Sequence, residues 1–265
     1  MKKYIVTGTD GFIGKKVAKA IEASGNDVIS ITQFNGWDLE LSDKVKECDG
    51  IFHIGAISDT TLQDANKMLY FNYTLSKRLF DLARKYDKKI VYSSSAANYG
   101  SGDGIPNNIY GWSKLLAEEY GLKACEKFVA LRYFNVYGPG EEHKGKMASV
   151  AYQSYLQGDF KLFPGEIRRD FVFIDDVVEA NLQAMKLDRG LFDVGTGNAE
   201  KFEDLVGGMN IQFDYHTEDK IPKWYQFFTQ ADRKKFIPGW EPLYNVKKGT
   251  KLYREYLDED NKWKY

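Results

Sequence analysis

Tyr110 and Lys114 stand four residues apart in the run Tyr-Gly-Trp-Ser-Lys, and at that spacing two side chains share one face of a helix. A free phenol has a pKa of ~10, and about 4 kcal/mol of anion stabilisation is needed to bring it to ~7. An ammonium ~5 Å away supplies on the order of 3 kcal/mol at an effective dielectric of ~20. The pair therefore has the composition of a general base. The same spacing also occurs on solvated helix faces, and the chain contains 18 tyrosines.

The first element that would position this chemistry lies at the N-terminus. Residues 4–7 form a β-rich run that ends in a glycine cluster, and Ile13, Val17, Ala18 and Ile21 then follow at helical spacing. The sequence predicts a strand, a tight turn and a helix.

Five further strands are predicted, with a helical stretch over 68–86 between the third and fourth strands of the series. Strands separated by helical segments imply a parallel sheet covered by helices on both faces. The predicted fold class is therefore α/β, a Rossmann-like doubly wound parallel sheet with a smaller C-terminal substrate lobe. The further strands are 27–32, 50–54, 89–93, 127–134 and 170–174.

Two domains are expected. The sheet domain would comprise 1–139 with 168–196 returning to it, and the lobe would comprise mainly 140–167 and 197–265, where loops, Trp, Pro and charge are more frequent. In parallel α/β sheets ligands bind beyond the carboxyl ends of the strands. The residues that could bind a ligand or catalyse a reaction follow those ends: the first glycines, Asp38-Leu39, Gly55-Ala56, Ser93-Ser94-Ser95 and Asn135.

Composition excludes several classes of function. The net charge of −1 gives no electrostatic footprint for nucleic acid or an anionic membrane. Cys48 and Cys125 lack metal or redox spacing, and the three histidines are far apart in sequence, so we expect reduced thiols and no metal site. No apolar run has the length of a membrane span or secretion signal, and the expected location is the cytoplasm.

Gly8, Gly11 and Gly14 place a glycine at every third position between the first strand and the first helix. Gly8 permits a tight turn, Gly11 lets the backbone approach a pyrophosphate, and Gly14 allows close packing of helix on strand. The pattern predicts a dinucleotide site, although a glycine turn without a ligand has the same local sequence.

The sequence leaves the choice between NAD and NADP open. No carboxylate stands at Thr32 or Gln33, where an acidic residue would bind a free ribose 2′-hydroxyl. No Arg or Lys follows nearby to bind a 2′-phosphate, and Asp10 would disfavour that phosphate. Asp38-Leu39 is either an adenine contact or a surface turn. The predicted cofactor residues are Gly8, Asp10, Gly11, Phe12, Ile13, Gly14, Thr32, Gln33, Asp38, Leu39, Gly55, Ala56, Tyr110 and Lys114.

In this order the glycine loop, serine cluster and Tyr-x-x-x-Lys resemble the extended short-chain dehydrogenase/reductase superfamily, the NAD-dependent nucleotide-sugar epimerases and dehydratases. Nearly the whole chain fits. Several uncommon strings are most similar to those of the ADP-L-glycero-D-manno-heptose 6-epimerase family. They are residues 55–61 (GAISDTT), 94–100 (SSAANYG), 132–139 (RYFNVYGP), 143–150 (HKGKMASV), 169–172 (RDFV) with Asp176-Val177, 195–197 (GTG) and 225–232 (YQFFTQAD).

The resemblance implies roles for individual residues. Ser95 would hydrogen-bond the oxidised carbonyl, and Tyr110 would be one acid/base. Lys114 would hold the nicotinamide ribose and tune Tyr110. Lys144 would be the second acid/base, although its neighbours alone favour an exposed loop cation. Substrate contacts are expected from Ser58, Asn135, His143, Met147, Ser149, Arg169 and Tyr225, with Arg169 and Tyr225 near the nucleotide diphosphate.

The chain also departs from the family's pattern. It is shorter than usual, with compact segments between the second and third strands and between Tyr99 and Tyr110. Trp224 stands where the family normally has an arginine, which bears on the diphosphate contact and hence on the nucleotide.

The leading hypothesis is epimerisation of a nucleotide sugar through transient oxidation by a bound nicotinamide dinucleotide, with NADP slightly favoured over NAD by the resemblance. The alternatives are another nucleotide-sugar epimerase, a reductase or a dehydratase, and, in a different class, a non-catalytic dinucleotide-binding protein. A dehydratase ranks low because Ala96-Ala97 stand where it would carry carboxylates. The resemblance implies a homo-oligomer.

Overall fold

The structure is a computed structural model, and it describes the chain over residues 1–32, 40–221 and 225–262. The contacts within it divide the chain into two compact units. The first unit comprises Met1–Tyr133 and Val178–Asp193, and the second comprises Phe134–Val177 and Val194–Tyr265.

A six-stranded sheet forms the centre of the first unit. Its strands are β1 (Lys3–Thr7), β2 (Asp27–Ile31), β3 (Gly50–His53), β4 (Ile90–Ser95), β5 (Phe128–Tyr133) and β9 (Gly190–Val194), in the order β2-β1-β3-β4-β5-β9. Neighbours from β2 to β5 are parallel, with Thr7 opposite both Ile31 and His53, and Ser95 opposite Tyr133. The carboxyl ends of these strands therefore lie along one edge, as the sequence predicts.

Helices pack on this sheet, and α1 and α4 each bury an apolar stripe. Val17, Ala18 and Ile21 of α1 are buried, in agreement with the predicted period, and Phe80 of α4 packs edge-on against Tyr92 of β4. The helices are α1 (Phe12–Ala23), α2 (Leu41–Glu47), α3 (Ala65–Leu69), α4 (Leu75–Lys85) and α5 (Ile109–Ala124).

The helix predicted over 68–86 is interrupted. A π-helical turn, Tyr70–Thr74, separates α3 from α4. Asn72 in this turn is buried, and its side-chain amide bonds both the N–H and the carbonyl of Ile57 at 2.8 and 2.9 Å. Hydropathy spacing did not reveal the interruption, since the wide turn is stabilised by a contact with a distant segment.

The second unit contains two small sheets. Its strands are β6 (Asn135–Tyr137), β7 (Asp159–Leu162), β8 (Arg168–Phe173), β10 (Ala199–Lys201) and β11 (Gln212–Tyr215), ordered β10-β8-β6 in one sheet and β11-β7 in the other. Its helices are α6 (Val150–Gln157), α8 (Phe202–Gly208) and α9 (Val246–Lys262). Helix α7 (Ile174–Ala184) runs across the division at Val177.

One strand assignment from the sequence is wrong. The segment 170–174 was expected as the sixth strand of the parallel sheet, but β8 pairs with β6 and β10, and the sixth strand is β9. The buried Asp170 carboxylate accepts backbone N–H bonds from Thr196, Gly197 and Ala231, which hold β8 within the second unit. The contacts accordingly assign 134–139, 168–177 and 194–196 to the second unit, whereas the sequence analysis assigns them to the sheet domain.

Cys48 and Cys125 are buried free thiols, and burial raises the pKa of both to about 11. Both are therefore protonated at neutral pH. Within the three described stretches, no helix combines the length and the hydrophobicity that a membrane crossing requires.

Candidate active site

Close contacts between glycine backbones shape the loop after β1. Gly8 has a φ of +71°, and a Cβ built on it would lie 2.6 Å from Cα of Gly55. A Cβ on Gly14 would lie 2.1 Å from the carbonyl oxygen of Gly8, so only glycine lets α1 approach so closely. Gly11 is the N-cap of this 12-residue helix and supplies no capping side chain. The loop fits the pyrophosphate of a dinucleotide, which binds at a helix N-terminus through backbone N–H groups.

His53 supports this loop from the adjacent strand. The Thr7 hydroxyl accepts the N–H of Gly55 at 2.8 Å and lies 2.8 Å from His53 Nδ1. On the other side of the ring, Nε2 lies 2.7 Å from the Ser76 hydroxyl, which donates to the carbonyl of Asn72. These partners place the ring proton on Nε2. Burial lowers the pKa of His53 to about 3, so a neutral imidazole braces the turn against which Gly8 packs.

Ser95 and Tyr110 are brought together at the start of α5. The Ser95 hydroxyl hydrogen-bonds the Tyr110 phenol. Asn108 caps the helix by accepting the N–H of Gly111 at 2.8 Å. A Cβ on Gly111 would lie 2.9 Å from the carbonyl oxygen of Ala97, so the absent side chain lets α5 sit directly on the turn after Ser95. The predicted serine–tyrosine pair is thus assembled.

Lys114 is buried, and its ammonium lies over the Tyr92 ring, 4.4 Å from the ring centre. Burial lowers the pKa of Lys114 to about 7, and the charge of Glu118 opposes this shift. Burial raises the pKa of Tyr110, and the hydrogen bond from Ser95 opposes that rise. In this arrangement the Lys114 ammonium meets an aromatic face and is not among the causes that shift the pKa of Tyr110, so the tuning of Tyr110 by Lys114 stays a prediction.

Asn72 connects the turn after β3 to helix α5. Besides bonding Ile57, its amide donates to the Ser113 hydroxyl at 3.0 Å, and Ser113 donates to the carbonyl of Tyr110 at 2.7 Å. The sequence analysis missed Asn72. The available signal was a short polar residue at an inward position of a helical pattern.

Glu118 and Arg132 form a buried ion pair that holds the serine segment. Glu118 is fully buried and accepts two bonds from the Arg132 guanidinium. It also accepts the Ser94 hydroxyl at 2.5 Å and the Asn98 amide at 3.1 Å. Because Ser94 and Asn98 flank Ser95, the pair fixes the turn that carries Ser95. The sequence analysis missed this pair too.

The remaining predicted residues of the first unit lie after β1, β2 and β3 and at the start of α1. Thr32 follows β2, Phe12 and Ile13 open α1, and Asp10, Ala56 and Ser58 are exposed in loops. The predictions for Gln33, Asp38, Leu39 and Trp224 fall outside the described residues.

The other predicted substrate residues lie in the second unit. Lys144 belongs to a 3₁₀ segment, Glu142–Met147, and burial lowers its pKa while the charge of Glu141 opposes this shift. Ser149 caps α6 by accepting the N–H of Tyr152 at 3.3 Å. Asn135 on β6 and His143 are exposed, and Met147 is half-buried.

Arg169 and Tyr225 lie together beside an aromatic pocket of the second unit. The Arg169 guanidinium donates to the carbonyls of Arg168 and Gln226 and lies 5.3 Å from the centre of the Tyr225 ring. The pocket has a volume of ≈ 230 Å³. Its walls include Phe160, Leu162, Phe163, Phe202, His216 and Tyr225. Aromatic walls of this kind suit a planar ring, and the adjacent guanidinium suits an anion.

Across residues 1–32, 40–221 and 225–262 there is no group of three or more His, Cys, Asp or Glu side chains that could hold a metal ion.

Comparison with known proteins identifies the family. The model of the NAD-dependent epimerase/dehydratase family matches residues 4–195. The chain belongs to this family. The resemblance and the fold class predicted from the sequence are both confirmed.

Solved structures of this family cover almost the entire chain. The ADP-L-glycero-D-manno-heptose-6-epimerase of Helicobacter pylori is 28% identical, with a TM-score of 0.85 over 97% of this chain and 96% of that one. The UDP-glucose 4-epimerase of Thermotoga maritima, solved with UDP-glucose, is 25% identical, with a TM-score of 0.83 over 98% and 99%. The UDP-N-acetylglucosamine 4-epimerase of Methanobrevibacter ruminantium, at 22% identity and a TM-score of 0.86 over 98% and 99%, shows the shared fold.

Proposed function

We propose that this NAD(P)-dependent family member is a nucleotide-sugar epimerase that inverts C6 of ADP-glycero-manno-heptose. The observation that carries the proposal is the hydrogen-bonded pair of Ser95 and Tyr110 beside the buried Lys114. Two further features support it. The segment around Lys144 carries the strings of the heptose epimerases, and the H. pylori heptose epimerase is similar over nearly its full length.

A nicotinamide dinucleotide, NADP or NAD, would accept hydride from the substrate carbon and return it. Gly8, Gly11, Gly14 and Gly55 would hold its pyrophosphate side, and Lys114 would bond its nicotinamide ribose. Mass spectrometry of the small molecules released on denaturing the purified protein would identify which dinucleotide is bound. Recovery of neither would contradict this part of the proposal.

The protein's own groups move the protons. Tyr110 accepts the proton of the C6 hydroxyl as the carbon loses hydride, and Ser95 donates a hydrogen bond to the oxygen that becomes the carbonyl. Lys144 gives a proton to that oxygen when the opposite face is reduced. Each group cycles between acid and base, which requires a pKa near neutral pH. The pKa of Tyr110, which burial raises in this structure, must therefore be lowered when substrate and dinucleotide bind. The burial that lowers the pKa of Lys144 acts towards a neutral value.

Arg169 and the aromatic pocket would bind the nucleotide. The guanidinium would pair with the diphosphate, and the ring faces of Phe163 and Tyr225 would receive the base. The sugar would then contact the segment that holds His143, Met147 and Ser149.

The proposed enzyme is a cytoplasmic homo-oligomer. The exposed large apolar side chains of the first unit include Tyr70 in the π-helical turn, and Trp112 with Leu116 one helical turn later on α5. Burial of such side chains in a self-association surface would remove them from water. Light scattering after gel filtration should show an oligomer, and Trp112→Glu should shift it towards monomer. A monomer at micromolar concentration would contradict this part.

The test of the activity is to incubate the purified protein with each C6 epimer of ADP-glycero-manno-heptose, without added cofactor, and to follow C6 by NMR. Both epimers should approach one equilibrium mixture. Tyr110→Phe should slow the approach by roughly 10²–10⁴-fold. Net reduction of the sugar with stoichiometric consumption of added NADPH would identify a reductase instead. An unchanged rate in Tyr110→Phe would show that the site is not the catalytic one.

A further inference from the structure

Glu141 joins both ends of the segment that carries Lys144. Its carboxylate is fully buried. One oxygen, Oε1, accepts the Gly138 N–H at 3.3 Å and the Ser149 hydroxyl at 2.6 Å, and Oε2 accepts the Ser149 N–H at 2.5 Å. We call residues 138–149 the Lys144 loop. A single side chain thus closes this loop by bonding its first and last residues.

The middle of the Lys144 loop is anchored at two more points. The Lys144 N–H donates to the carbonyl of Glu141 at 2.9 Å. The Gln153 side chain reaches from α6 and donates to the carbonyl of Gly145 at 2.6 Å. Lys144 therefore lies between the two ends of the loop, which Glu141 joins, and Gly145, whose carbonyl Gln153 holds.

The backbone of the loop explains why such anchoring is needed. Gly138, Gly140 and Gly145 all have positive φ, at +134°, +102° and +53°. Glycines lose the most conformational freedom when they are ordered, so a loop with three of them needs strong contacts to hold one conformation. The charge-assisted bonds to Glu141 are contacts of that strength.

We propose that Glu141 is a positioning residue that holds the Lys144 loop, and through it the Lys144 ammonium, in the conformation needed for proton transfer. This inference rests on the proposed function for the role of Lys144. Glu141 was not singled out by the sequence analysis, and it acts through backbone and hydroxyl donors of the loop.

The decisive variant is Glu141→Gln. Its amide keeps the shape of the side chain but replaces one acceptor oxygen with a donor, which must then face either the N–H of Ser149 or the donors at the other oxygen. The matched control is Glu142→Gln. Glu142 is the next residue and bonds only the Gly140 N–H, at 3.1 Å, among the side-chain bonds described for it.

Two measurements separate positioning from a structural role. Hydrogen exchange read by mass spectrometry should rise in peptides covering 138–149 in Glu141→Gln, without a rise in β1 or α5. Single-turnover formation of reduced dinucleotide at 340 nm should be followed from each C6 epimer. Lys144→Ala identifies the epimer whose oxidation needs Lys144, and Tyr110→Phe identifies the other.

Glu141→Gln should slow oxidation of the Lys144-dependent epimer by roughly 10–100-fold, which is the effect of an ~1 Å misplacement. It should slow oxidation of the Tyr110-dependent epimer by less than about 3-fold. Glu142→Gln should leave both within about 2-fold. Gln153→Met should slow the same epimer by a smaller factor, and it serves if Glu141→Gln fails to fold.

Equal slowing of both epimers, or exchange unchanged in the loop, would overturn the inference. Wild-type protein that converts neither epimer would defeat the proposed function. The exchange comparison would then still decide whether Glu141 holds the loop.

Discussion

The Lys114 ammonium rests on the face of the Tyr92 ring, 4.4 Å from its centre. Burial disfavours the charged form and lowers the pKa of Lys114 to about 7. The negative face of an aromatic ring favours a cation by roughly 0.5–2 kcal/mol, depending on desolvation. The ring of Tyr92 therefore helps to keep Lys114 protonated at neutral pH, and the proposed role of Lys114 in binding the ribose requires the ammonium.

Tyr92→Leu should move the alkaline limb of the pH–activity profile to lower pH. Without the ring the pKa of Lys114 falls further, so the ammonium is lost earlier as pH rises. The expected shift is roughly half a pH unit or more, from ~0.7–1.4 kcal/mol of lost cation–π attraction. The measurement is kcat/KM of epimerisation across pH 6–9. Tyr92→Phe keeps the ring and should have the alkaline limb of the wild type. An unshifted alkaline limb in Tyr92→Leu would contradict the claim that the Tyr92 ring stabilises the Lys114 ammonium.

His53 should make the protein sensitive to acid. Its pKa is about 3 in the folded chain, below the ordinary 6.5, so as pH falls through 6.5 the unfolded chain binds a proton that the folded chain does not. This contribution to the free energy of unfolding decreases by roughly 1 kcal/mol per pH unit until pH approaches 3. In urea titrations, the stability difference between wild type and His53→Gln should narrow between pH 7 and pH 5. A constant difference would show that His53 is charged when folded.

Glu118→Gln should cost about 3–5 kcal/mol of unfolding free energy, because it leaves the Arg132 charge buried without its carboxylate. The control is the next residue. Glu119 is half-exposed and pairs with Lys123 at 3.4 Å on the helix surface, so Glu119→Gln should cost less than about 0.5 kcal/mol. Urea denaturation of both variants measures their losses of unfolding free energy. Equal losses in the two variants would contradict the stabilising role of the Glu118–Arg132 pair.

Gly14→Ala should lose both stability and bound dinucleotide. The added Cβ would lie 2.1 Å from the Gly8 carbonyl oxygen, and relief of that contact must move α1 away from β1. Overpacking of this kind costs roughly 1–3 kcal/mol. Gly207→Ala on α8 meets no atom within 4 Å and should be neutral or stabilising by up to about 1 kcal/mol. Thermal unfolding and dinucleotide retained after gel filtration are the readouts, and full retention in Gly14→Ala would count against the loop as the site.

The sequence predicted features that depend on short spacing. The glycines at 8, 11 and 14, the strand predicted over 89–93 and the helix that carries Tyr110 and Lys114 all follow from local patterns, and the structure has a glycine turn, a strand at Ile90–Ser95 and a helix at Ile109–Ala124. Local patterns did not predict which side chains meet through tertiary contacts. Spacing suggested that Lys114 acts directly on Tyr110, yet its ammonium meets Tyr92, which is 22 positions away.

The features that the sequence analysis missed also depend on contacts between residues that are far apart in sequence. Glu118 and Arg132 form their ion pair because α5 packs beside β5, and no periodicity in the sequence predicts that pair. The strand pattern of 168–173 was visible, but the sheet it joins depends on Asp170 bonding residues 196, 197 and 231. Hydropathy identifies a strand and does not name its neighbours.

The central claim is inversion by oxidation and return of the same hydrogen. It is tested most directly with ADP-glycero-manno-heptose carrying deuterium at C6, incubated with the purified protein in ordinary water and analysed by NMR and mass spectrometry. The account predicts the opposite C6 epimer with the deuterium retained and no net change in oxidation state. Loss of the deuterium to solvent, or a product reduced or dehydrated relative to the substrate, would contradict it.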